Sequence, residues 1–456
     1  MPDRPSLPAL NRGAVFAQAW PIMLGQASIP LVGVVDAIVI GRTGSAAALA
    51  GVALGATIIN LIFWTFGFLR MGMTGLTAQA DGAGRRDEIE ALLVRGLVIG
   101  IAIGLVLLAS MWPLRELAFA IFAGGELVTG QARAFVTARF FGAPASLAVF
   151  AINGWLFGLG RTRAALGLQL VMNLANIVFD VTLVFGLGMG AAGVGFGTSS
   201  AEWVALATGV VVVTRIAGAS PLVLARRAGR SMLFARDAMA QLFAINRDLM
   251  IRTVALLVLF AWFANAGARL GAVNLAANHV LMQFVSVAAF ILDAFAFTAE
   301  SRIGQAIGAG SRAQFLRAAR LTLEFSLASG CALAIAFWTF GSFAIRFITT
   351  DGAIRATAAS FLPFAALVPL IGMPSWMLDG IFIGATRGRA LRNAAVLATL
   401  MYLGTDLALR PRGNLGVWLA LWSSYLYRAA CLGAYLPGLL RSLGPGSAVA
   451  GERPTA

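Results

Sequence analysis

The chain has 456 residues, of which 59% are apolar and only 12% charged, with a mean hydropathy of +0.86. A soluble globular domain carries roughly 25% charged residues, so this composition excludes one and makes the lipid bilayer the solvent. The formal charge of +15 comes from arginines set between apolar runs rather than gathered on one soluble face, which argues against a nucleic-acid binder.

The N-terminus begins with a short polar lead, Met1 to Gly13, followed by an apolar stretch too long for a signal-peptide core and expected to be kept as the first helix. A spanning helix needs about 20 mostly apolar residues. Apolar runs set against polar or Gly/Pro breaks predict an all-α membrane protein with about twelve helices. They fall near 14–40, 46–69, 88–112, 131–157, 164–186, 191–214, 240–266, 272–299, 314–340, 355–383, 392–410 and 414–438. The second run is open to staying helical past Arg70 toward Gln79, because Gly and Thr are tolerated in membrane helices. Little chain remains for a soluble domain.

Arginines crowd the side that holds the N-terminus, the even-to-odd loops and the C-terminus, so both termini are expected in the cytoplasm. The richest stretch, from Arg215 through Arg226, Arg227, Arg230 and Arg236, reads as an interfacial linker. The expected organisation is an N-lobe at 1–214 with helices one to six, a cytoplasmic linker at 215–239, a C-lobe at 240–440 with helices seven to twelve, and a cytoplasmic tail at 441–456. Cys331 and Cys431 stand at no metal or disulfide spacing, and no metal set can be built on His279, the single histidine.

The two halves match at a constant offset of 226 residues. Gln79-Ala-Asp-Gly-Ala-Gly-Arg-Arg86 aligns with Gln305-Ala-Ile-Gly-Ala-Gly-Ser-Arg312; Gly154, Gly158, Arg161 and Arg163 fall on Gly380, Gly384, Arg387 and Arg389; Asp180 falls on Asp406. Three blocks at one spacing imply duplication. Six helices per half is an even number, so the halves are parallel repeats, an arrangement of two bundles around a central cavity used for alternating access.

A carboxylate inside a membrane helix usually faces a cavity or a partner. On helix one, Gln26, Pro30, Gly33 and Asp36 share a face, and Pro21 and Pro30 are candidate bend points. On helix five, Gln169, Asn173, Asn176 and Asp180 form one polar stripe, with Asn176 and Asp180 on adjacent turns, and Asn153 and Thr198 are placed to complete the cluster. No basic residue is expected at comparable depth on the neighbouring helices, so Asp36 and Asp180 are expected to carry a coupling proton. Asp36, Asn176 and Asp180 equally suit a sodium ion. Asp293 and Glu300 are placed to pair with Arg252 or Arg302 and are, after Asp379 as the best, further candidates for a second coupling site. Aromatic residues such as Trp262, Trp376 and Trp422 serve as packing or interfacial anchors, with a minority available for cation–π contact.

These segments resemble the multidrug and toxic compound extrusion (MATE) family, in its DinF-like branch, over nearly the whole chain. The resemblance lies in Pro30-Leu-Val-Gly-Val-Val-Asp36, Phe66-Gly-Phe-Leu-Arg-Met-Gly-Met-Thr-Gly-Leu-Thr-Ala-Gln79, Gly154-Trp-Leu-Phe-Gly-Leu-Gly-Arg161, Asn176-Ile-Val-Phe-Asp180 and Asp379-Gly-Ile-Phe-Ile-Gly384. It implies an antiporter of the bacterial inner membrane, monomeric and without a cofactor, that expels amphipathic or cationic organic molecules in exchange for H+ or Na+. It also implies an N-lobe site at Asp36, Asn176 and Asp180 with Asn153 and Thr198 around it, and a bend at Pro21. Other branches use a seventh-helix carboxylate for sodium; helix seven here has Arg252 and no acid. The alternatives are a major-facilitator-type transporter, whose loop signature expects a glycine where this chain has Thr77, and a flippase for lipid-linked substrates, which needs extra helices and a cationic cavity where the candidate cavity here is acidic. An enzyme would need a nucleophile–base or metal constellation that the sequence does not offer.

Overall fold

The computed structural model describes residues 10–43, 45–122 and 125–443; most of the expected tail lies outside them. The helices in chain order are α1 Arg12–Gly41, α2 Ala46–Thr65, α3 Phe68–Gly82, α4 Arg86–Ala109, α5 Met111–Ile121, α6 Glu126–Phe140, α7 Ala143–Gly158 and α8 Thr162–Val181. They continue as α9 Gly190–Ala217, α10 Pro221–Leu233, α11 Arg236–Arg269, α12 Ala272–Gly308, α13 Arg312–Ile348, α14 Gly352–Gly384, α15 Gly388–Leu409 and α16 Asn414–Arg441. No strand occurs among the described residues. Nine helices there are long and apolar enough to cross a bilayer, and a tenth span results if α6 and α7, bent by 54°, are joined. Helices α15 and α16 fall short on composition: three charges interrupt one, and Trp, Tyr and Ser dilute the other.

Local signals explain most boundaries. Ser45, Ser220, Ser311 and Asp351 cap α2, α10, α13 and α14 by accepting a hydrogen bond from the backbone N–H three residues on. Large apolar side chains such as Trp338, Phe340, Phe343 and Phe347 on α13 stand exposed, a surface suited to acyl chains rather than water.

The fourth expected span, 131–157, is not one helix. Pro144 has no N–H to donate to Phe140, and the Gly142 N–H turns back to the Arg139 carbonyl at 3.1 Å. The Ala138 carbonyl thus left over accepts from Ser199 Oγ at 2.8 Å. The expected linker contains α10, capped by Ser220 and fixed to α4, where Arg95 donates to the Leu233 and Met232 carbonyls.

Two compact units emerge. Among the described residues, the N-terminal unit comprises Gln18–Thr77 and Arg85–Asn246; the C-terminal unit comprises 10–17, Ala78–Gly84 and 247–443. The duplication is written into element boundaries at the same offset of 226: α2 and α12 start at Ala46 and Ala272, α3 and α12 end at Gly82 and Gly308, and α7 and α14 end at Gly158 and Gly384. It is also written into packing. A Cβ at Gly158 would crowd the Thr74 carbonyl, and one at Gly384 would strike the equivalent carbonyl of Glu300. Within the C-terminal unit the crossing is reciprocal, Gly82 against the Gln305 carbonyl and Gly308 against that of Gln79.

Candidate functional site

Helix α8 carries the polar stripe, and its burial is graded. Gln169 and Asn173 are half-buried and hold each other through a 2.8 Å hydrogen bond. One and two turns further along, Asn176 and Asp180 are buried, Asp180 completely. The stripe ends where α8 widens into a π-helical turn, Thr182–Gly186, an irregularity that often marks functional positions. Asp180 fits against α9 because Gly197 has no side chain; a Cβ there would strike its carboxyl oxygen.

Helix α1 brings Asp36 to the same place. The carboxyl groups of Asp36 and Asp180 contact each other and the Asn176 amide. Asn176 Nδ2 donates to Thr198 Oγ1 at 3.1 Å, which ties α8 to α9 beside the acids. Asp36 Oδ1, Asn176 Oδ1 and both Asp180 carboxyl oxygens are buried and accept no hydrogen bond from the protein. Four acceptors without a donor call for a proton or a cation. Asn153 of α7 has a buried Oδ1 that also accepts no hydrogen bond, and no hydrogen bond ties it to the cluster. Pro21 is buried and Pro30 exposed within a continuous α1.

The expectation of no basic residue at this depth fails. Arg139, on the last turn of α6, is 7% exposed and its field reaches both Asp36 and Asp180. Its guanidinium is held by Glu202 of α9 through two 2.9 Å hydrogen bonds. Sequence reasoning missed it because 131–157 was read as one unbroken helix. The available signal was Gly142 and Pro144 just after it, which end α6 there and leave Arg139 on a terminal turn.

The repeat-related positions in the C-terminal unit have another chemistry. Asp36 corresponds to Trp262 and Asp180 to Asp406, and there Trp262 Nε1 donates to Asp406 Oδ2 at 2.9 Å, with Arg269 at the same oxygen at 2.9 Å. One half thus has two acids in contact where the other has an acid hydrogen-bonded by an indole and ion-paired with a guanidinium. Asp379 forms an ion pair with Arg252. Asp293 is half-buried on α12 and Glu300 is buried there.

A family model described as MatE matches residues 21–182 and 249–405. The chain belongs to the MatE family. It is similar to a protein of Escherichia coli named DNA damage-inducible protein F, with 36% identity over 422 residues, covering 92% of this chain and 91% of that one. It is also similar to Multidrug resistance protein PmpM of Pseudomonas aeruginosa, with 26% identity over 440 residues, covering 91% and 90%. Among solved structures, the Vibrio cholerae MATE transporter VcmN in its bent form matches with a TM-score of 0.82 at 18% identity, covering 95% of this chain and 97% of that one. As a MatE protein the chain is a multi-span membrane transporter of a multidrug efflux family and not an enzyme. The family match also decides against the major-facilitator alternative.

Proposed function

We propose that this MatE protein is a secondary antiporter that expels amphipathic, cationic organic compounds in exchange for protons, with Asp36 and Asp180 carrying the coupling proton. The observation behind this reading is the contact between the two carboxyl groups, three of whose four oxygens are buried without a hydrogen-bond partner. Two carboxylates in contact repel strongly in a low dielectric, so the pair is stable when it shares a proton. Arg139 offsets little of that repulsion, because Glu202 already holds its guanidinium. When the proton leaves, the exposed charge favours an organic cation; when the proton returns, that attraction weakens. Competition at one acid pair couples the two movements, as alternating access requires.

Asn176 and Thr198 set the orientation of the pair, and Pro21 and Pro30 give α1 the freedom to move Asp36 against Asp180. The lobes 1–214 and 240–440 are the moving parts, joined by 215–239, in a monomer of the inner membrane with both termini cytoplasmic. Names of relatives such as PmpM support the organic substrate class. The four buried acceptor oxygens also favour a second reading, sodium as the coupling ion.

Proteoliposomes loaded with a fluorescent cationic dye test both. An imposed pH gradient should drive dye movement that a sodium gradient does not. Gradient-driven transport at the wild-type rate in both Asp36→Asn and Asp180→Asn would end the proposal, and a response to sodium alone would select the second reading.

A further inference from the structure

The C-terminal unit contains a second buried polar centre, and its charge is reversed. Asp379 on α14 is 4% exposed and has two arginines, Arg252 of α11 in direct ion pair and Arg428 of α16 at 3.9 Å, 9% and 6% exposed. Arginine cannot shed its charge, so two guanidiniums against one carboxylate leave one positive charge uncompensated. Asp248, one turn before Arg252, does not offset it, since Arg392 holds its carboxylate at 2.9 Å and Arg247 at 3.2 Å. A buried unpaired charge is costly, and in a membrane protein such groups serve binding or transport.

The hydrogen-bond inventory of this centre points the same way. Arg428 donates to Ser375 Oγ at 2.8 Å, and the Ser375 hydroxyl donates in turn to the Gly372 carbonyl at 2.8 Å, so the serine has no donor left to offer. What remains is Arg252 Nε, Arg428 Nε and the Tyr425 hydroxyl, all buried and without a partner. The two Nε–H groups can only donate and the hydroxyl is free to do so, and the ligand chemistry that matches such a set of donors is an oxyanion. An apolar wall stands beside them: the Arg428 guanidinium lies over the Tyr425 ring, and Trp376 packs against that ring at 5.2 Å. The duplication places Gln26, Asn153 and Glu202 at the positions of Arg252, Asp379 and Arg428, so the second repeat has exchanged a neutral and an acidic residue for two cations.

We propose that Arg252 and Arg428 form a receptor for the oxyanion of an amphipathic organic compound, a carboxylate joined to an aromatic body, with Asp379 as the internal carboxylate that the ligand displaces. This centre is separate from the Asp36–Asp180 pair, and its ligands are anionic or zwitterionic compounds rather than simple cations.

The test uses the purified full-length protein in detergent and two probes that differ in one group, rhodamine B with its free carboxylate and rhodamine B ethyl ester. Equilibrium binding should favour the acid over the ester by tenfold or more. Arg252→Gln and Arg428→Gln should abolish that preference while leaving ester binding unchanged. Asp379→Asn, which removes the competing carboxylate, should tighten acid binding several-fold, a gain that a merely structural ion cluster would not give. Equal binding of acid and ester by the wild type would overturn the proposal, even if no arginine variant folds. So would displacement of the acid by phosphatidylglycerol at stoichiometric amounts, which would assign the centre to a lipid headgroup.

Discussion

The two repeats have kept their backbone and exchanged their charge. In the N-terminal unit, Asp36, Asp180 and Glu202 face the single guanidinium of Arg139; in the C-terminal unit, Arg252 and Arg428 face the single carboxylate of Asp379. Helix ends and glycine contacts recur 226 residues apart, so the scaffold is one solution used twice. A duplicated helix bundle needs its packing residues to stay small and apolar in both copies, whereas the buried polar positions are free to diverge once each copy has its own task. The Asp36–Asp180 contact and the Trp262–Asp406 hydrogen bond mark that divergence most clearly: the same two positions hold two carboxyl groups in contact in one half and a carboxyl group bonded to an indole in the other.

The comparison breaks first at the acid pair. Asp36→Asn or Asp180→Asn should reduce gradient-driven dye efflux from proteoliposomes to background, while Asp406→Asn, the repeat counterpart of the latter, should leave the coupling stoichiometry of the remaining transport unchanged. A second contrast lies at the equivalent positions 202 and 428. Glu202→Gln strands the buried Arg139 charge, a loss of about 3–5 kcal/mol that should appear as a large fall in apparent melting temperature in detergent. Arg428→Gln removes a surplus charge and leaves the Arg252–Asp379 pair intact, so its melting temperature should fall far less. The shared scaffold is tested by Gly158→Val and Gly384→Val, each expected to cost about 1–3 kcal/mol by overpacking, with similar melting shifts in the two repeats. The smallest effect is that of Trp262→Phe: Asp406 loses one of two donors, about 1 kcal/mol, and keeps Arg269, so efflux should stay at the wild-type rate.

The legible part of the site was the part with a period. Gln169, Asn173, Asn176 and Asp180 recur at helical spacing, so one polar face on α8 could be recognised without coordinates, and Asn176 does meet Asp180 and Thr198. Arg139 had no such period. Its importance depends on the break between α6 and α7, which frees the Ala138 carbonyl for Ser199 and sets Arg139 against Glu202. The Arg252–Asp379–Arg428 centre was illegible for a related reason: its members come from α11, α14 and α16, and no spacing along the chain links them.

Composition and periodicity alone determined that this chain lives in a bilayer, that it is built of membrane helices in two duplicated halves, and that α8 presents a polar stripe, because apolar length and helical repeat act locally and leave their mark in consecutive residues. Tertiary structure alone decided which buried charges face one another. Pairing of Asp36 with Asp180, of Arg139 with Glu202 and of Arg252 with Asp379 depends on where separate helices cross, and a carboxylate or guanidinium in a low dielectric is defined by its nearest partner rather than by its neighbours in sequence.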